Sequence, residues 1–278
     1  MDQLLEKVFK STEKALYKLI PAQLKAVGYQ TQDITTNKGN YIYAKGDLPV
    51  LLVAHLDTVF KHTPKEIIQD QGILYNPSCG LGADDRAGVY SILQIANITA
   101  NNNMYPHILF TSGEEIGGLG AITASRELYP DVKFIIELDR QGKNDCVFYN
   151  CDNELFIQYV ESFGYTFNYG SFSDISILCP AWGMAGVNLS IGYYNQHTKN
   201  EYLVISEIQD TITKVVDMLA NIPDEPFGYI PGNSKKKKKL KKNNKKPKKY
   251  LYSDYEVYDQ LDDEEKLYYY YLMGKDEL

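Results

Sequence analysis

Two apolar runs, each ending in acids and a turn, constrain this chain more than any other feature. Residues 49–54 (Pro-Val-Leu-Leu-Val-Ala) lead straight into His55-Leu56-Asp57-Thr58-Val59. Ile108-Leu109-Phe110 leads into Thr111-Ser112-Gly113-Glu114-Glu115-Ile116-Gly117-Gly118. An unbroken apolar run of strand length belongs in a sheet covered on both faces. Polar side chains placed directly after such runs lie at the carboxyl ends of the strands, the ligand edge of an open α/β sheet. Three more segments fit that plan. They are Gly82-Ala83-Asp84-Asp85-Arg86-Ala87-Gly88, the run Phe134–Leu138 ending in Asp139, and His197 after the expected strand 187–191.

The remaining periodicity fills in the layers. Apolar spacing predicts helices over 3–24, 85–101, 119–128, 154–163 and 205–219, and strands over 40–44, 49–54, 107–111, 132–138 and 186–191. Strands alternating with helices predict a three-layer α/β/α sandwich with a largely parallel central sheet. This catalytic domain is expected to span 1–222. Pro223, Pro226, Pro231 and Gly232 then open a linker over 223–249, and 250–278 forms a tail.

Charge separates the same parts. The net −7 conceals −11 over 1–233, +11 over 234–249 and −7 over 250–278. The middle segment holds eleven Lys and no acid, so it is expected to be solvated and disordered. A weak contact with nucleic acid or another anionic surface is expected of that segment alone. The tail carries eight Tyr among nine acids, with a short helix expected around 262–273. No apolar run reaches membrane-spanning length, so no membrane partner is expected. Residues 1–10 lack the apolar centre of a signal peptide. The four Cys form no close pair, which fits a reducing compartment. Together these predict a cytoplasmic protein. Lys275-Asp276-Glu277-Leu278 matches an endoplasmic-reticulum retention signal, which is read only in the lumen; without a leader it is taken as coincidence.

Each acidic or His motif has a plain structural reading beside a chemical one. His55 and Asp57 are two apart and share one face of a strand, so Asp57 can fix the imidazole tautomer that binds a metal; a lone pair of this kind more often caps a turn. Asp85, before a helix, is placed to cap it, while Asp84 points back toward the strand ends and bridges two metals. Arg86 balances local negative charge. Adjacent Glu114 and Glu115 repel unless one is protonated or a cation binds them; a two-metal site gives one as ligand and the other as proton shuttle. An exposed acidic turn is the competing reading. Asp139 is expected to face the site, with Glu137 of the same strand parity as an alternative ligand. His62 and His107 are taken as ordinary residues. Two His and four or more carboxylates at strand ends make the ligand set of a two-metal hydrolase.

Taken together, His55–Val59, the Asp84-Asp85 loop, Thr111–Glu115, the strand ending in Asp139 and His197-Thr198-x-x-Glu201 resemble the co-catalytic zinc exopeptidases. That group includes tripeptide aminopeptidase, carboxypeptidase G and leucyl-aminopeptidase-like enzymes of the phosphorylase/hydrolase-like fold. The likeness covers about 40–220. It implies two zinc ions, with cobalt or manganese as substitutes. One site takes His55, Asp84 and Asp139; the other takes Asp84, Glu115 and His197. It further implies a cis bond between Asp84 and Asp85, Glu114 as general base and Asp57 as orienter of His55. Only 58 positions separate Asp139 from His197, so the lid domain of the tripeptidase branch is absent. Tyr193 or Tyr194 then stands in for a lid residue at the oxyanion. The expected activity is an aminopeptidase acting on short peptides, a choice favoured by Asp at 139. The alternatives are deacylation of N-acyl amino acids and a non-catalytic binding module with a basic tail. Oligomeric state is left open.

Overall fold

The structure, a computed structural model, describes residues 1–232. The Lys-rich segment, the Tyr-rich tail and the helix expected within it lie outside the described residues. Eight strands form the main sheet: β1 (Ile34–Asn37), β2 (Tyr41–Ala44), β3 (Leu48–His55), β6 (Pro106–Thr111), β7 (Phe134–Arg140), β8 (Asp145–Val147), β9 (Thr166–Phe167) and β10 (Gly186–Ser190). Their spatial order is β1-β2-β6-β3-β7-β10-β8-β9. The four central strands β6, β3, β7 and β10 run parallel, and antiparallel pairings flank them. This is the largely parallel α/β sheet that the alternating pattern predicts.

The burial of β3 explains the run that opened the sequence argument. Val50, Leu52 and Ala54 join Ile108, Phe110, Phe134 and Ile136 in a core shared with helices α1 (Gln3–Phe9), α2 (Glu13–Ala26), α3 (Ala83–Ala100) and α7 (Ile205–Ala220). The alternate residues Leu51, Val53, Leu109 and Ile135 are also fully buried. They lie on the side where α4 (Leu119–Glu127) and α6 (Ile175–Trp182) pack. Each such side chain contributes roughly 1.5–3 kcal/mol by leaving water, and Leu52→Ala would cost about 2–5 kcal/mol. Helix α5 (Glu154–Glu161) covers the β8–β9 end. A second, four-stranded sheet joins β4 (Ile68–Asp70), β5 (Ile73–Tyr75), β12 (Tyr202–Val204) and β11 (Tyr193–Tyr194) beside the ligand edge.

Several expectations are corrected. The single helix over 3–24 is two helices. Thr12 breaks it, because its hydroxyl accepts from the Ala15 amide (3.3 Å) and starts α2 afresh. Asp2 caps α1 in the same way, through the Leu5 amide (2.9 Å). The linker expected from 223 starts later, because residues 223–232 lie on the core. Phe227 meets the rings of Phe156 (5.0 Å) and Phe134 (5.9 Å), and its backbone bonds to Ala185 and Lys133 (2.8 and 2.9 Å). The prolines end α7 but do not end the packing. Between Asp139 and His197 the chain builds β8, α5, β9, α6, β10 and β11, with no inserted domain.

Candidate metal centre

The carboxyl ends of β3, β6 and β7 converge, and the loops after them carry the polar motifs. His55 ends β3 and is 1 % exposed. Its Nε2 lies 3.0 Å from Asp84 Oδ1 and 3.5 Å from Asp139 Oδ1. His197 Nε2 lies 3.2 Å from Asp84 Oδ2 and 3.0 Å from Glu115. Asp84 therefore offers one oxygen to each imidazole. Glu114 Oε2 stands further off, 3.9 Å from His55 Nε2. The peptide bond between Asp84 and Asp85 is cis. Asp85 lies beside the cluster but is engaged by backbone amides. Its oxygens accept from the Gly88 amide (2.9 Å), which caps the regular turns of α3 that follow the non-helical pair Asp84 and Asp85, and from the His55 amide (3.2 Å).

Asp57 ties two motifs together. Its Oδ1 accepts from the amides of Gly113 (2.9 Å) and Glu114 (3.2 Å), and its Oδ2 from Glu115 (3.1 Å). It also lies 3.3 Å from His55 Nδ1, an atom that makes no well-formed hydrogen bond. Asp57 thus shapes the Glu114-Glu115 loop at least as much as it orients His55. Gly113, Gly117 and Gly118 in that loop all have positive φ (76°, 108° and 76°), a backbone that glycine adopts without strain. Arg86 is buried, and its guanidinium donates to the carbonyls of Leu56 and Asp57 (3.4 Å to the latter).

Electrostatics follow from crowding acids out of water. Burial, with the charge of nearby Asp84, pushes Asp139 up to about 7. Burial likewise raises Glu114 well above the usual carboxylate range, helped by Asp139 and Asp174. Burial opposes a charged His55, yet Asp139, Asp57 and Asp84 outweigh it and raise its pKa. Hydrogen bonds to Asp84 and Glu115 lift His197 to about 10. Burial opposes ionisation of Asp84 too, but the two imidazoles overcome it and hold that carboxyl low. Such a cluster, two imidazoles facing crowded carboxylates, calls for positive charge at its centre.

The donor set fits zinc, which takes His nitrogen and carboxylate oxygen at about 2.0–2.2 Å in tetrahedral array, leaving ligand atoms roughly 3.3 Å apart. The contacts of 3.0–3.5 Å among His55, Asp84, Asp139, Glu115 and His197 match that spacing. His55, Asp84 and Glu115 each offer a ligand atom within one small volume, and so do His55, Asp85 and Asp139. In the second group Asp85 is already occupied by backbone amides.

Other residues fall outside the cluster. Glu137 lies one strand period behind Asp139, 1 % exposed, where it accepts from Ser173. Tyr194 points away and donates to Glu207 (2.7 Å). Tyr193 is buried and donates to Asp139 Oδ1 (3.2 Å), so it braces a carboxylate of the cluster. His107 is buried on β6 against the Tyr43 hydroxyl (2.6 Å). Four residues absent from the sequence argument support the centre. Asn188 and Ser173 brace Asp139, the former through its amide (2.9 Å) and carbonyl (3.0 Å). Asp174 accepts from Thr111 at the end of β6. Tyr149 meets Asn188 (3.2 Å).

A family model described as peptidase family M28 matches residues 35–175, just over half of the chain, and the chain belongs to that family. It is a metallopeptidase of the co-catalytic zinc exopeptidase superfamily, a zinc-dependent exopeptidase. No curated protein matches it. Among solved structures, a tripeptidase from Staphylococcus aureus superposes with a TM-score of 0.62 at 16% identity, over 77% of this chain and 95% of that one. Aminopeptidase PepT from Bacillus cereus gives 0.60 at 14% identity, over 77% and 96%. The TET1 peptidase of Pyrococcus horikoshii, which can assemble into a tetrahedron or a large octahedral shell, gives 0.59 at 13%, over 77% and 98%. At such identities these likenesses speak for the fold.

Proposed function

We propose that this exopeptidase is an aminopeptidase that removes the first residue of short peptides at a two-zinc centre. His55, Asp84 and Asp139 would hold one ion, and Asp84, Glu115 and His197 the other. The observation that carries this reading is Asp84, whose two oxygens lie 3.0 and 3.2 Å from two different imidazoles. Bound zinc supplies Lewis acidity to the scissile carbonyl and the attacking water. Glu114 takes the proton of that water and returns it to the leaving amine. Its greater distance from His55 leaves its carboxylate free for that task. Asp57 keeps Glu114 and Glu115 at their separate stations through three amides. Ile116 (52 % exposed) and Phe172 (37 % exposed) flank the loop and suit an apolar terminal side chain.

Two further readings complete the proposal. The chain acts in the cytoplasm, a reading supported by four free thiols. No helix among the described residues is long and apolar enough to cross a membrane. The Lys-rich segment makes salt-sensitive contacts with nucleic acid or another polyanion. A gel shift that persists after deletion of 234–278 would refute that contact.

The activity test pairs zinc analysis with free-amine tripeptides, their N-acetylated forms and N-acyl amino acids. Release of the first residue from free-amine peptides only, at two zinc ions per chain, is the expected result. Faster cleavage of N-acyl amino acids would overturn the aminopeptidase reading.

A further inference from the structure

Glu201 belongs to the His197 motif, yet nothing in the proposed chemistry uses it. It is fully buried, and both of its carboxylate oxygens are engaged across the chain. Oε2 accepts from the Gly82 amide and Oε1 from the Asp84 amide (3.2 Å). It therefore grips the loop that carries the shared ligand, from a position four residues after His197. His197 itself has little else to hold it. Its side chain is 48 % exposed, and it has a φ of +61° in a turn where Asn195 has +56°. The turn closes on itself through Thr198 Oγ1 to the Asn195 carbonyl (2.7 Å) and the Glu201 amide to the Thr198 carbonyl (3.2 Å). Directly after Glu201, β12 pairs with β5. A buried carboxylate thus clamps an exposed turn to the Asp84 loop.

We propose that Glu201 is a positioning residue for the zinc site containing His197, setting that imidazole relative to Asp84 by holding the Gly82 and Asp84 amides. This rests on the two-zinc reading above. The other site does not depend on the clamp in the same way, because His55 and Asp139 lie at the ends of β3 and β7. Loss of Glu201 therefore separates the two zinc affinities.

The test titrates zinc into the metal-stripped full-length chain by calorimetry, with thermal unfolding as a check on folding. Glu201→Ala should weaken the second zinc about 10–100-fold, as loss of a supporting partner typically does, and weaken the first clearly less, because His55 and Asp139 keep their strand positions. Glu201→Gln keeps one amide-accepting oxygen and turns an NH2 donor toward the other amide, so its loss should lie between the wild type and the Ala variant. Wild-type affinity in the Gln variant would show that gripping both amides does not matter, and would overturn the proposal. So would equal weakening of both sites. Should the Ala variant fail to fold, Glu201→Asp, one methylene short of reach, must weaken the second site, and wild-type affinity there overturns the proposal. A wild-type chain taking up fewer than two zinc ions would overturn the two-site reading and this proposal with it. A wild type with two sites and an indifferent Ala variant overturns this proposal alone.

Discussion

His55 and Asp139 reach the proposed metal centre from the ends of β3 and β7, whereas Glu115 and His197 reach it from loops. The two halves are held by different means. Strand ligands inherit their positions from the parallel ladder, where β3 is hydrogen-bonded on both sides and buried on both faces. Loop ligands have no ladder, and each relies on a carboxylate that collects backbone amides. Asp57 gathers three on the Glu115 side, and Glu201 gathers two near Asp84 on the His197 side. Sheet topology alone can build half a centre at a strand edge. The other half needs acids whose task is to fix backbone.

The largest effect belongs to the residue common to both halves. Asp84→Ala should lose both zinc ions and all turnover. His55→Ala should chiefly weaken the strand-side ion, and His197→Ala the loop-side ion. Zinc titration of each metal-stripped variant checks this, and two intact sites without Asp84 would break the comparison at its centre. Next in size, Glu114→Gln should cut kcat about 10²–10⁴-fold while leaving zinc content at the wild-type level. A variant that loses zinc along with activity would make Glu114 a ligand. Smaller again, Asp57→Asn exchanges one amide-accepting oxygen for a donor. Zinc affinity on the Glu115 side should fall about 10–100-fold, with less change on the His55 side. A larger loss at the strand-side ion would show that Asp57 acts mainly through His55.

The same contrast decides what could be read from sequence. His55 and Asp57 were legible because a strand alternates faces, and Asp139 because an apolar run ended on it. Glu114-Glu115 and Asp84-Asp85 were legible because paired acids beside glycines are costly without a use. The supporting residues were harder. Asn188 had a signal, a polar residue inside the buried run Gly186–Ser190, which needs a partner when buried. Asp174 had none, since it precedes α6 (Ile-Ser-Ile-Leu-Cys-Pro-Ala-Trp), whose near-uniform apolarity hides any period. The second sheet escaped notice because its strands are two or three residues long, too short for alternation to register. The packed stretch 223–232 was misjudged because prolines mark the end of a helix and say nothing about Phe227 finding a ring cluster.

The smallest expected effect separates the halves by pH in protein stripped of metal with a chelator. Asp139, at the end of β7, is raised from 3.8 to about 7 by burial and Asp84. A carboxyl with a folded pKa above its unfolded value binds its proton more tightly when folded, so stability falls as pH climbs between those values. His197, on the loop, is raised from 6.5 to about 10 by Asp84 and Glu115. Its contribution is full below 6.5 and is lost as pH rises toward 10. The imidazole is about half exposed, so solvent screens this upper limb and keeps it shallow. Both limbs slope the same way, and metal-stripped protein should melt at progressively lower temperature from about pH 5 to pH 9. Zinc supplies the positive charge that the protons supplied, so the melting temperature gained on adding zinc should grow with pH. His197→Ala should erase the upper limb and leave the lower one. A variant that flattens the lower limb instead would mean the strand and loop halves titrate as one unit, and that their separation is structural but not energetic.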